Sequence, residues 1–345
     1  MKAIVIERHG EPDTVRLTDV PTPEPGPGEV RVRVKATALN HLDLWVLRGI
    51  PGIPPAFPHV SGCDVAGVID ALGPDVPGRW QVGDRVLVNP SLSCGECEYC
   101  VRGQDNMCDT FGILGEHRWG GMAEYVTVPA RNLHPIPPAL SFEEAAAIPL
   151  VFSTAWQMLV TAADIRPGEL VLVLGAGGGV NSAAIQIAKA VGCQVWATTS
   201  TQEKVEHAYA LGADWVVNYR ENPEWSKAVW KRTGKRGVDV VVDNVGQATW
   251  STSLRLLARG GRLVTVGATT GPAGETDIRY VFWRHLRIIG STMCTRGGFL
   301  DMLRLVEQGK LKPVVDRVLP LEEAAEALSI LARGEQFGKI VLRVA

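Results

Sequence analysis

An excess of charge of either sign is missing from this chain. Its 35 lysines and arginines stand against 37 aspartates and glutamates, a formal net charge of −2 over 345 residues. Such a balance supplies no field suited to gripping nucleic acid or an anionic membrane surface. Long apolar runs are missing too: no stretch approaches the roughly 20 uncharged apolar residues of a membrane span. The N-terminal MKAIVIERHGEPDTV has one short apolar run, broken by Glu7 and Arg8, and lacks the apolar core and cleavage site of a secretory signal. Cysteine is scarce. Of seven, four are clustered and three (Cys63, Cys193, Cys294) are scattered, which is not the even framework of a small secreted domain. These absences leave a cytoplasmic globular protein whose partners are small molecules, with no nucleic acid and no membrane.

What is present suffices for two cores, because hydrophobic residues make up 46% of a chain longer than one ordinary domain. Up to about residue 148 the pattern is short β-rich runs (AIVIE, EVRVRVKA, VAGVIDALG, DRVLV, AEYVTV) between turn clusters such as PTPEPGPG, which predicts an all-β barrel or sandwich. From about 150 the buried-strand runs LVLVLG, CQVWATTS, DWVVNY, VDVVVDNV, GRLVTVG and RIIGS alternate in part with helical stretches. That alternation predicts βαβ units and a parallel sheet covered on both faces. The expected boundaries are 1–150, 151–291 and a C-terminal segment, 292–345, returning to the first domain.

Cys94, Cys97, Cys100 and Cys108 read C-x2-C-x2-C-x7-C in a segment rich in Gly, Asp and Asn. Four thiolates at tetrahedral reach make a closed zinc site with no position open to substrate, so the cluster predicts a structural metal. Disulfides are disfavoured by the compartment, and an iron–sulfur cluster usually shows different spacing.

LVLVLGAGGGVNSAAIQIAKAVG, residues 170–192, is an apolar strand, a glycine-rich turn and a helix opening on small residues. Such a turn brings backbone amides and a helix N-terminus against a pyrophosphate, and Gly177, Gly178, Gly179 and Val180 are the candidate contacts. The motif is imperfect, with Asn181 where the last glycine is expected. An NAD-binding domain usually ends its second strand in an acid that holds the ribose 2′-hydroxyl. Here that strand ends in Thr198, Thr199, Ser200 and Thr201, followed by Lys204. Hydroxyls and a cation suit a 2′-phosphate, so NADPH is expected over NADH. Ser200 or Thr201 also suits a helix N-cap.

The chain resembles the zinc-containing medium-chain dehydrogenase/reductase superfamily. The resemblance covers nearly its full length and rests on PEPGPGEVRVRVKATALNHLD, GCDVAGVI, VGDRV, GGMAEYV, SFEEAAAIPLVFSTAWQML and GAGGGVNSAAIQIAK. It implies a fold of class α/β plus all-β: a GroES-like β-barrel catalytic domain with a structural zinc lobe at 94–108, beside a Rossmann doubly wound parallel-sheet domain. Alcohol-oxidising members hold a second, catalytic zinc through Cys, His and Cys. At those places this sequence has Asn40, Cys63 and Leu150, and Leu42 replaces the hydroxyl that relays the alcohol proton. Leucine cannot ligate and an asparagine oxygen suits zinc poorly.

The N-x-x-D pattern with a G-x-D turn resembles instead the quinone oxidoreductase branch, which passes hydride from NADPH to quinones or to the β-carbon of an enone. Such an acceptor is activated by its own conjugation, so hydrogen bonding from a group such as Asn40 to the developing enolate oxygen suffices. Asn40, Asp43, Cys63 and Asp64 are therefore the catalytic candidates. Cys63 reads equally as a packed small hydrophobe, a reactive thiol or a ligand of an unorthodox site with His41, His59 or Asp64. The resemblance further points to Thr154 beside the nicotinamide, Tyr219 near the adenosine phosphate, Asn244 and Gly267 along the nicotinamide half, and Lys339 on the phosphates. It also implies a homodimer or homotetramer paired along the edge near residues 280–293. Two rival functions stand beside the reductase: a zinc-dependent alcohol dehydrogenase with atypical ligands around Cys63, and a nucleotide-binding protein without turnover.

Overall fold

In EVRVRVKATA valine and a charged or polar residue alternate, so the strand Glu29–Ala38 turns Val30, Val32, Val34 and Ala36 into the core and leaves Arg33 exposed. This strand is the hub of a seven-stranded sheet. Asp64–Leu72 and Tyr125–Pro129 run antiparallel to it, and Lys339–Arg343 pairs antiparallel with its last residues, Ala36–Ala38. The sheet continues through Arg85–Val88 and Leu133–Pro135 on one side and Val315–Pro320 on the other. Helices His41–Arg48 and Ala324–Arg333 bury Leu44, Leu47, Leu328 and Leu331 in the same apolar core as those valines.

The computed structural model describes residues 1–53 and 56–344. They form two compact units: Met1–Leu150 with Pro313–Ala345, and Val151–Lys312. The first is β-rich and GroES-like. The second is built on a six-stranded, wholly parallel sheet of Rossmann type, in the order Trp215–Asn218, Gln194–Thr199, Leu170–Val173, Val238–Asp243, Leu257–Thr265, Arg287–Gly290. Its strands are near-continuous apolar runs because a parallel sheet is covered on both faces; Leu170–Val173 is buried at every residue.

The chain re-enters the first unit at Pro313, not at 292. Helix Arg296–Glu307 is amphipathic and buries Phe299, Met302, Leu303 and Val306 as part of the second unit. The following turn is tied there by Gln186, whose amide donates to Lys312 O (2.9 Å) and accepts Lys312 N–H (2.8 Å). A helical stretch late in the sequence matches either unit in pattern, and the reciprocal pair that decides between them comes from a glutamine more than a hundred residues earlier. Among the described residues no helix is long and apolar enough to cross a membrane.

Candidate active site

Asn40 leaves the hub strand in extended conformation (φ −135°, ψ 157°) and caps helix His41–Arg48. Its N–H donates to Asp43 Oδ2 at 2.7 Å. Asp43 Oδ1 accepts the Ser61 hydroxyl (2.6 Å) and Gly62 N–H (3.0 Å). Gly62 has φ +99°, and a Cβ there would lie 2.8 Å from Met122 N, so only glycine makes this approach. Burial raises Asp43 from its ordinary value, against the opposing donors Ser61, Asn40 and Gly62 and the charge of Lys339. Its lone pairs are spent joining the helix start to the turn before Cys63, so Asp43 holds the site together.

The Asp64 carboxylate has no exposed surface, yet three donors reach it. Oδ1 accepts Leu150 N–H at 2.7 Å; Oδ2 accepts Asn40 Nδ2 at 2.9 Å and Lys339 Nζ at 2.9 Å. Lys339, itself 3% exposed, also donates to Asn40 Oδ1 at 2.5 Å. An ammonium only donates and a carboxylate only accepts, so the two ends of the Asn40 amide are distinguished chemically: the oxygen meets Lys339 and the nitrogen meets Asp64. Nδ2 also faces Ala38 O and Cys63 Sγ, each at 3.2 Å.

The resemblance implies Lys339 on the cofactor phosphates, and the lysine is not an ordinary one at a strand edge. Its ammonium is buried in the first unit on Asp64 and Asn40. The sequence carried a signal for this, since GKIVLRV puts one lysine into a buried strand and a buried cation requires an anion. The Leu150 backbone contact had no signal at all.

Cys63 has no exposed surface, and its thiol is pushed well up by burial and by Asp64 and Asp43. A thiol so placed holds its proton more tightly than a free cysteine and makes a poor nucleophile. His59 Nε2 lies 2.9 Å from Gly115 O, which obliges that nitrogen to donate. His41 is lowered by burial and by Lys339 and Arg48. Among the described residues the only group of three or more His, Cys, Asp or Glu close enough to hold a metal is Cys94, Cys97, Cys100 and Cys108.

Those four sulfurs lie within 4.8 Å of one another, with Cys94–Cys100 at 3.9 Å and Cys94–Cys108 at 3.6 Å. A tetrahedron of zinc–sulfur bonds of about 2.3 Å has edges of about 3.8 Å, so the cluster fits zinc. Backbone N–H groups already point at the sulfurs: Glu96 and Cys97 donate to Cys94 Sγ, and Cys94 N–H to Cys108 Sγ. Burial opposes ionisation of Cys108, but that N–H and the Thr110 donors bring it to about 6, while Cys100 is pushed up to about 12, first by burial. Thiols this close shed all their protons only with a cation between them.

In the second unit, strand Leu170–Val173 leads through Gly175 (φ +78°) to Gly178, the N-cap of helix Gly179–Val191. Gly177, Gly178, Gly179 and Val180 lie at the carboxyl end of this strand, where open α/β sheets bind nucleotides. Thr199 ends the neighbouring strand and Ser200 follows it; Thr201, not Ser200, caps the next helix, accepting Lys204 N–H at 3.3 Å. Tyr219 N–H donates to Thr199 O at 2.9 Å, which brings the tyrosine alongside the threonine. No carboxylate ends either strand. Asn244 follows strand Val238–Asp243, and Gly267 (φ +70°) lies two residues beyond Leu257–Thr265. Thr154 is buried, its hydroxyl 3.5 Å from Met293 Sδ.

A parallel sheet with a glycine turn at its switch is the architecture of a nucleotide-binding unit. Comparisons with known proteins agree. Residues 26–138 match the alcohol dehydrogenase GroES-like domain, and 179–308 the zinc-binding dehydrogenase family. A solved structure described as an NAD-dependent alcohol dehydrogenase superposes with a TM-score of 0.95 at 52% identity, covering 100% of both chains. An NAD-dependent alcohol dehydrogenase of Sulfolobus acidocaldarius is 37% identical over 100% of both chains, and the quinone oxidoreductase of Homo sapiens 31% identical over 99% of this chain and 97% of its own. The chain belongs to the zinc-type medium-chain dehydrogenase/reductase superfamily and is an NAD(P)-dependent oxidoreductase.

Proposed function

We propose that this oxidoreductase transfers hydride from NADPH to quinones or α,β-unsaturated carbonyl compounds without a catalytic metal. The Asn40–Cys63–Asp64–Lys339 cluster carries the reading. At the three places where a catalytic zinc would be held stand an amide, a buried thiol and a leucine, and the nearby carboxylate already accepts from three donors. Zinc is needed where a carbonyl must be polarised from outside. A conjugated acceptor supplies its own electron sink.

NADPH supplies the hydride. Asn40 has two amide hydrogens, one held by Asp64 at 2.9 Å and one divided between Ala38 O and the neutral Cys63 sulfur, each at 3.2 Å. Sulfur is a weak acceptor, so this second hydrogen is the one an incoming carbonyl oxygen takes over as negative charge develops on it. Lys339, on the amide oxygen, strengthens Asn40 as a donor. Solvent delivers the proton to the α-carbon.

Thr199, Ser200, Lys204 and Tyr219 favour the 2′-phosphate because no carboxylate ends strand Gln194–Thr199. The cysteine lobe is read as one structural zinc, whose thiolates suit a reducing, cytoplasmic compartment. Assembly is read as a homodimer or homotetramer. Strand Arg287–Gly290 ends the parallel sheet, and Ile278, Phe282 and Trp283 stand 72%, 62% and 68% exposed before it, an edge that natural proteins cover.

The names of similar proteins favour a second reading, a zinc-dependent alcohol dehydrogenase. Metal analysis with a substrate panel decides. One zinc per chain, unchanged in Cys63→Ala, with turnover of quinones or enones and none of simple alcohols, supports the proposal. Two zincs with alcohol oxidation overturn it, and tight NADPH binding with no turnover identifies a binding protein.

A further inference from the structure

Two consecutive peptide groups at the start of the cysteine cluster are held on both sides. The Cys94 N–H donates to Cys108 Sγ at 3.3 Å, and the Gly95 N–H points at Cys100 Sγ. In a trans peptide the carbonyl lies opposite the N–H. The carbonyls of these same two peptides, Ser93 O and Cys94 O, both accept from the guanidinium of Arg131: Nη2 reaches Ser93 O, and Nη1 reaches Cys94 O at 3.2 Å. Successive peptides that turn their N–H groups to one side form an anion-binding concavity, and Gly95 permits one here by taking φ +88°. A Cβ at Gly95 would lie 2.8 Å from Arg131 Nη1, so the glycine also leaves the guanidinium its place.

Arg131 is half-buried in the turn Ala130–Asn132. The next residue, Asn132, donates through Nδ2 to Asn89 O and Ser91 O, both at 2.7 Å. One turn therefore grips the whole approach to the cluster, and its two side chains serve different ends. The peptides that Asn132 holds lead to Pro90, which has no N–H, and to Leu92 in the short strand Ser91–Leu92. Those that Arg131 holds lead to sulfur. A cation bonded to a carbonyl polarises the amide and makes its N–H a stronger donor. Four thiolates also outweigh the charge of one zinc ion, so donors on sulfur are in demand here.

We infer that Arg131 is a positioning residue for the metal: through the Ser93–Cys94 and Cys94–Gly95 peptides it strengthens the N–H groups that stabilise the thiolates of Cys108 and Cys100, and so slows the loss of zinc. The inference rests on reading the cluster as a structural zinc site.

The test has two readouts on the purified full chain. Zinc-loaded protein is mixed with an excess of a metallochromic chelator and metal loss is followed by absorbance; a second sample carries cobalt, whose thiolate-to-metal charge-transfer band reports electron density on sulfur. Arg131→Met is expected to lose zinc about 10-fold faster than the wild type. Its cobalt charge-transfer band is expected at longer wavelength, with the ligand-field bands keeping tetrahedral intensity. Arg131→Lys keeps the charge without the fork and is expected to fall between the two. Arg102→Met removes a positive charge from the same lobe, from an exposed side chain paired with Glu98 at 2.8 Å, and is expected to match the wild type in both readouts. Faster loss with an unmoved band overturns the inference, since Arg131 then only ties down the loop. Equal acceleration in Arg102→Met also overturns it, since net charge then suffices. If Arg131→Met fails to fold, Arg131→Lys carries the test, and a wild-type rate and band in that variant overturn. If the wild-type chain holds neither zinc nor cobalt, the reading of the cluster fails first and the inference falls with it.

Discussion

Lys339→Met strikes the buried cluster at the point where its energetics are most exposed to test. The Asp64 carboxylate has no exposed surface, and Lys339 is the one cation bonded to it; Leu150 N–H and Asn40 Nδ2 are neutral. Deleting the cation leaves an anion in a low-dielectric interior and strips the Asn40 oxygen of its donor, a loss of about 3–5 kcal/mol. A unit as long as Met1–Leu150 with Pro313–Ala345 loses about 2–4 °C per kcal/mol, so its melting temperature is expected to fall by about 6–20 °C. Scanning calorimetry of the cofactor-free protein at pH 7 reads this directly. The double variant Lys339→Met with Asp64→Leu is expected to regain most of the loss, because a well-packed apolar pair often replaces a buried ion pair at little net cost. A single variant melting within 2 °C of the wild type refutes the reasoning, since the pair would then not be shielded from water.

Cys63→Ser replaces a weak acceptor with a stronger one; it is expected to raise the KM for an enone roughly 10-fold with the KM for NADPH unchanged, seen in steady-state kinetics. Lys204→Ala is expected to weaken NADPH about 10-fold and NADH little, by comparison of the two Michaelis constants. Chelation, or Cys97→Ser, is expected to open the segment between Cys94 and Cys108 to limited proteolysis, with loss of the metal by elemental analysis. For His41 the folded value lies below the unfolded one of about 6.5, so the unfolded chain binds the proton first and stability falls as pH drops through that value. His41→Gln is expected to flatten the dependence of urea midpoint on pH between roughly 7.5 and 5.5; an unchanged slope counts against the burial of His41.

The fold was legible where periodicity is strong. The alternation in EVRVRVKATA and the unbroken apolar runs LVLV and VDVVVD announce a half-solvated antiparallel sheet and a doubly covered parallel one, and both are present. The cysteine cluster was legible because all four of its thiols lie within fifteen residues. The cluster around Asn40 was legible only in part. Asn40 and Cys63 stand out by departing from a ligand pattern and Asp64 by its G-x-D turn, but Leu150 N–H and Lys339, which bond Asp64, enter from 86 and 275 residues away. Such contacts are made by topology: the local pattern flags a lysine in a buried strand at 339 but does not name its partner, and for Leu150 N–H it records nothing. The misplaced boundary at 292 has the same origin, since an amphipathic helix announces its buried face but not what covers it.

The position of Lys339 within the first sheet has a consequence for synthesis. Strand Lys339–Arg343 lies between Val315–Pro320 and the hub strand, so the sheet closes, and Asp64 meets its cation, only after the whole nucleotide-binding unit has been made. Until then a nascent chain carries an unmatched acid in its interior and a sheet with an open side, and its β-rich half has reason to stay loose. The protein is in this sense assembled in reverse: the half translated first is finished last, and truncation between residues 313 and 338 leaves the second unit, Val151–Lys312, whole while the first stays incomplete.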